Sequence, residues 1–246
     1  MSAGAKQQLA EKLNLLLAND DTQALRERVA RDVPAVLAAE GLRLVIHHEL
    51  DRDAAGVGFA TATLMAAELG EGAERMYAAG LWYPGAALVR QLIECGYLLT
   101  LMSENADEAS AWMRSTPSAA AKRFSPGQLR RRAVRNFRPT EYKHHCNLGG
   151  HPNPAGRVLL RCNADHQRLS VRCHWLDLAQ HLSDAWDGFV AALQLHDPRR
   201  QPDNSLYNPA RSPESGEQIN LLLAEWRKAD GAALTASIPE LASGPA

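Results

Sequence analysis

What the chain lacks narrows it first. No apolar run reaches the roughly 18–20 residues that a bilayer-spanning helix needs, and the longest candidate, at 84–102, is interrupted by Arg90 and Glu94. No membrane span is expected. Cysteine is scarce, four in 246 residues without regular spacing, and the chain opens on the polar run MSAGAKQQLAEKL. Reduced thiols in a cytoplasm are therefore expected, rather than a secretory signal or a disulfide framework. Charge of one sign is lacking too: the formal net charge is −1, so any contact with nucleic acid must come from a local patch. Also missing are a glycine-rich phosphate loop followed by Lys-Ser/Thr, a Gly-x-Ser-x-Gly elbow and the strand–helix alternation of a dinucleotide fold. Nucleotide-loop, serine-hydrolase and Rossmann chemistries drop out with them.

What is present is helical periodicity. Leu9, Leu13, Leu16 and Leu17 place an amphipathic helix at 5–18, and Asp20, Asp21 or Thr22 can cap the next one. Pro34 predicts a kink or break near 32–34, because proline has no amide donor and crowds the preceding turn. Residues 54–79 are rich in alanine, with Gly70 and Gly72 expected to divide two helical pieces. TrpTyrProGly at 82–85 opens a central helix that runs to Met102 and is apolar nearly all round, as a buried helix is. Residues 104–115 read as a short helix and 117–127 as a loop.

Further on, the runs VLLRC and QRLSVRC around Asn-Ala-Asp predict a small β-hairpin at 157–173. Trp175, Leu178, Leu182, Ala185 or Trp186, Phe189 and Leu193 then form the clearest helical stripe, at about 174–196. Residues 197–216 read as a linker, 214–229 as a last helix, and the remainder as a polar tail. The expected class is all-α, a helical bundle with one hairpin. Its expected units are N-terminal helices at 1–50, a helical core at 51–197, and a linker, last helix and tail at 198–246.

Three features carry chemistry. Arg90, Glu94 and Tyr97 share one stripe of the central helix at i, i+4 and i+7, either as an internal ion pair that sets helix register or as one wall of a site. The run Lys122–Lys143 holds eight basic residues against one acid; Arg130, Arg131, Arg135, Arg138 and Lys143 are its candidate phosphate contacts, with a solvated helix face as the plainer reading. Six of nine histidines and three of four cysteines lie between His144 and His181. Cys162 with His166, or Cys173 with His174, has spacing compatible with zinc, but no Cys-x-x-Cys accompanies them. No metal or cofactor is expected.

The buried helix GAALVRQLIECGYLL, an acidic connection containing Trp112, and the Asn-x-x-x-His-Pro element formed by Asn147, His151 and Pro152 together resemble bacterial helical proteins of the HEPN superfamily, over roughly residues 50–195. The resemblance implies a helical bundle, cytoplasmic and often assembled as a homodimer. It also implies either a metal-independent endoribonuclease of a toxin or phage-defence system, acting on RNA, or a non-catalytic interaction module that binds a cognate protein. The hallmark of the family is an arginine followed, after four to six residues, by a histidine. Bare spacing decides nothing here, because the chain matches it five times. In the register set by Asn147 and His151, Cys146 stands where the family has its arginine. Arg138 with His144 keeps the spacing, but Pro139 directly follows that arginine. The resemblance therefore implies His151 as acid or base, Arg90 as the substitute cation, and Glu94 and Asn147 as orienting groups.

Overall fold

Asn19 sets the first long helix in place: its Oδ1 accepts the Thr22 amide at 3.0 Å, while Asp20 and Asp21 occupy the electropositive first turn. The computed structural model describes residues 17–132, 139–150, 152, 154–160, 167–196 and 213–241. Helix α1 spans Asp20–Leu50, α2 Ala54–Ala78, α3 Trp82–Glu104, α4 Ala106–Met113, α5 Pro117–Arg123, α6 Pro126–Arg132 and α7 Pro139–His145. A π-helical turn, Cys146–Gly150, extends α7. A 3-10 turn at Pro154–Leu159, α8 at Gln167–His196 and α9 at Pro213–Leu241 complete the order. Among the described residues there are nine α-helices, no strand, and no helix long and apolar enough to cross a membrane.

Helices α1, α2, α3 and α8 pack as a ring of four, each against the next and α8 back against α1. Their inward stripes make the core. Val29, Val33, Leu37 and Leu44 recur at helical spacing on α1, and Leu178, Leu182, Ala185, Trp186 and Phe189 do so on α8, all fully or almost fully buried. The stripe read from the sequence is thus the one that faces inward. Helix α4 lies against α2, α9 lies against α1, and α7 with its π turn crosses α3.

Several expectations are corrected. Of the kink or break expected at Pro34, the break is absent, since α1 is continuous there, and α2 is not divided at Gly70 and Gly72. One contact accounts for two of the three residues: a Cβ at Gly70 would lie 3.0 Å from Pro34 Cγ and 2.7 Å from Leu182 Cδ2. The glycine is a notch that admits the proline ring and a leucine, and the packing gained there outweighs the helix-weakening tendency of both residues. Residues 117–127 are not a loop, since Pro117 and Pro126 each open a short helix, where a missing amide costs little; Thr116 caps the first. The hairpin at 157–173 is replaced by the 3-10 turn and by the first turns of α8, with residues 161–166 outside the description. Arg172, read as part of a strand, instead reaches from α8 to the Leu17 carbonyl and to Asp20 Oδ1, both at 2.7 Å. The last helix extends to Leu241, beyond the expected 229. Of the helix expected at 5–18 all but the last two residues, and of the linker expected at 197–216 all but 213–216, which begin α9, lie outside the described residues.

Candidate functional site

The polar pair of α3 meets a partner from far along the chain. Arg90 Nη2 lies 2.8 Å from Glu94 Oε1, and the Tyr142 hydroxyl, on α7, donates to the same oxygen at 2.8 Å. Arg90 Nη2 approaches the Tyr142 oxygen at 3.5 Å and the guanidinium also contacts Cys146. Both members of the ion pair are mostly buried, with side chains 19% and 23% exposed. Burial works against the Arg90 charge, but Cys146, Glu94 and Tyr142 together outweigh it and hold the guanidinium above its ordinary value. Burial, followed by Glu94, pushes the Tyr142 hydroxyl up. Among the described residues, Arg90 Nε is a buried donor with no hydrogen-bond partner. Tyr97, third on the expected stripe, is buried with its ring 6.2 Å from that of Tyr142. On its other side Glu94 borders a surface groove of about 530 Å³ walled by Met65, Leu88, Trp112, Phe124 and Leu129.

The other expected site residues scatter. Asn147 is exposed in the π turn that follows Cys146. His151 lies outside the described residues, as do Arg135 and Arg138. Arg130, Arg131 and Lys143 are exposed. Two cations of the basic run are engaged inside the protein: Arg123 Nη2 donates to Glu108 Oε1 at 2.9 Å and Arg132 bonds the same oxygen, both guanidinia flanking the Phe124 ring. Burial would raise the Glu108 carboxyl, but Arg132 and Arg123 outweigh it and hold it below the usual range. Part of the run is therefore an internal counter-charge.

Sequence reasoning missed a second cluster. His145 ends α7, and Asp177 and His181 face it from successive turns of α8. His145 Nε2 lies 3.2 Å from His181 Nε2 and 3.2 Å from Asp177 Oδ1; His181 Nε2 lies 3.4 Å from that oxygen. The two histidine side chains are 5% and 4% exposed and Asp177 is 26% exposed, so the aspartate forms the outer rim. Burial works to raise the Asp177 carboxyl, but His145 and His181 overcome it and hold the group well below the usual carboxylate range. Among the described residues these three have ligand atoms grouped as for a metal ion, whereas neither Cys173 nor His174 belongs to such a group. Half the signal was in the sequence: Asp177 and His181 stand four apart, on one face of α8. His145, 36 residues from His181, is supplied by the fold.

Compared with known proteins, the chain matches no family model, no curated protein and no solved structure.

Proposed function

We propose that the chain is a HEPN-like, RNA-directed effector of a bacterial defence or toxin system, acting in the cytoplasm as a homodimer by metal-independent transesterification. The observation that supports this reading is the convergence of Arg90 and Glu94 with Tyr142 and Cys146, since the segment carrying those two residues runs directly into Asn147 and His151. A planar cation binds two phosphate oxygens at once, so Arg90 suits the charge that develops on a phosphorane. An imidazole is the side chain whose ordinary titration lies near neutrality, which suits His151 to accept the 2′-hydroxyl proton or donate to the leaving oxygen. Glu94 and Asn147 orient the two groups, and Arg130, Arg131, Arg135, Arg138 and Lys143 track the RNA backbone. The test is cleavage of single-stranded RNA by the purified protein with chelator present. Wild type cleaves, His151→Ala does not, and both melt at nearly the same temperature. A wild type that leaves RNA intact overturns the enzyme.

A second reading is favoured by one specific feature: Arg90, Glu94 and Tyr142 largely satisfy one another. In that reading the chain is a non-catalytic interaction module for a cognate protein, and the ion pair fixes how α7 crosses α3. Arg90→Ala then strands Glu94 and costs about 3–5 kcal/mol, as breaking a buried pair does. His151→Ala changes nothing measurable.

A further inference from the structure

We infer that His145, Asp177 and His181 form a binding site for a zinc-class divalent cation, held by two imidazole nitrogens and one carboxylate oxygen with a fourth position open to water or a substrate oxygen. The three donor atoms form a triangle with sides of 3.2, 3.2 and 3.4 Å, whose centre lies about 1.9 Å from each. Zinc bonds to histidine nitrogen and carboxylate oxygen at about 2.0–2.2 Å, and tetrahedral angles then separate its ligands by about 3.3–3.5 Å. An ion at bonding distance from all three atoms would sit just out of their plane, leaving the fourth tetrahedral corner on the far side. Octahedral facial sets, with right angles at a similar bond length, bring their donors closer, to about 3.0 Å.

The surroundings of His181 point the same way. Asp184 Oδ2 faces His181 Nδ1 at 3.6 Å, and Gln180 Nε2 donates to Asp184 Oδ1 at 3.0 Å, steadying that carboxylate. That carboxylate stands behind Nδ1, where a metal-binding histidine carries its carboxylate partner, although 3.6 Å is longer than a hydrogen bond. His145 Nε2 and His181 Nε2 both face Asp177 Oδ1, at 3.2 and 3.4 Å. One proton on His145 Nε2 can serve His181 or Asp177, whereas a cation inside the triangle satisfies all three atoms at once. His145 follows Tyr142 by three residues and directly precedes Cys146, but none of the three ligand atoms belongs to a residue of the Arg90 junction, so the ion can bind whatever that junction does.

The test uses the full chain purified without chelator. Elemental analysis should find about one zinc per chain, and adding zinc to chelator-stripped protein should raise its melting temperature. Cobalt(II) in place of zinc should give the intense visible absorption of a four-coordinate ion. His181→Ala and Asp177→Asn should each weaken zinc binding at least tenfold; Asp184→Asn, which stands behind His181 and supplies no ligand atom, should weaken it by less. His47→Ala, in a separate pair with Asp51, should bind as wild type. If His181→Ala fails to fold, the cobalt spectrum of wild type and its change in Asp177→Asn decide the matter. No cobalt band with no zinc-dependent shift in melting, iron instead of zinc, or Asp177→Asn and His181→Ala binding as wild type would each overturn the site.

Discussion

Arg26 and Asp230, 204 residues apart, form a two-pronged ion pair sealed from solvent: Arg26 Nε donates to Asp230 Oδ2 at 2.8 Å and Nη2 to Oδ1 at 2.6 Å, with side chains 0% and 1% exposed. Trp226 Nε1 donates to the same carboxylate at 2.7 Å, so three donors from two helices converge on one acid. Desolvating both ions is costly, and the pair is sustained by geometry and by these additional hydrogen bonds. Its consequence is register, because α9 is held against α1 in one position.

Removing one partner should therefore be far worse than removing both. Asp230→Ala leaves a guanidinium buried without its counter-ion and should cost about 3–5 kcal/mol in urea unfolding, whereas Arg26→Met combined with Asp230→Leu should recover most of that loss. Equal losses in the single and double variants would show that volume, not the stranded charge, sets the cost.

Two helical glycines should respond to alanine with opposite signs. A Cβ at Gly58 would lie 2.5 Å from the Ala109 carbonyl oxygen, which is backbone of α4 and cannot rotate away. Gly58→Ala should force α2 and α4 apart and destabilise by about 1–3 kcal/mol. At Gly231, on α9, nothing lies within 4 Å of a new Cβ. Gly231→Ala should gain about 0.5–1 kcal/mol by helix propensity alone. Chemical denaturation of the two variants measures both signs.

Propensity by itself ranks those two glycines alike, and the same blindness explains what the sequence concealed elsewhere. The α8 stripe from Trp175 to Phe189 was legible because its spacing is set by the core it faces. Pro34 and Gly70 suggested interruptions because their effect on an isolated helix is unfavourable, yet they lie on adjacent helices and fill each other's space. The runs VLL and LSV were too short for periodicity to separate strand from helix. At the site, Arg90 and Glu94 were legible as a pair on one helix; Tyr142 was not, since only the crossing of α7 over α3 brings it to Glu94. Asp230 fell just past the helix expected at 214–229, in what read as a polar tail.

Two thiols should be silent in the folded protein. Burial, with a smaller push from Glu94, raises Cys95 to about 12, and burial followed by Asp177 raises Cys173 to about 11. The thiolate is the reactive form, so neither should alkylate appreciably at pH 8 until the chain is unfolded. Mass mapping of iodoacetamide adducts before and after denaturant checks this. Prompt labelling of Cys95 in native protein would contradict the raised thiol.

The acid sensitivity of the fold should have a contribution from His174. Its ring stacks on Trp82 at 5.6 Å and lies 5.3 Å from Tyr77, and this burial lowers its pKa to about 4 from an ordinary 6.5. Asp177 pulls the other way, while His145 and His144 reinforce the drop. The sign follows from proton counts: between pH 6.5 and about 4 the unfolded chain carries a proton on this imidazole and the folded chain does not. The contribution of His174 to stability is thus fully present above pH 6.5, falls as pH drops through that window, and levels off below about 4. One such proton gives a slope approaching about 1.4 kcal/mol per pH unit. His174→Phe keeps an aromatic ring between Tyr77 and Trp82 but cannot titrate. Urea midpoints from pH 7 to 4, followed by tryptophan fluorescence with chelator present so that metal release does not contribute, should show a shallower slope for the variant. Parallel profiles for the two proteins would place the acid sensitivity in other groups.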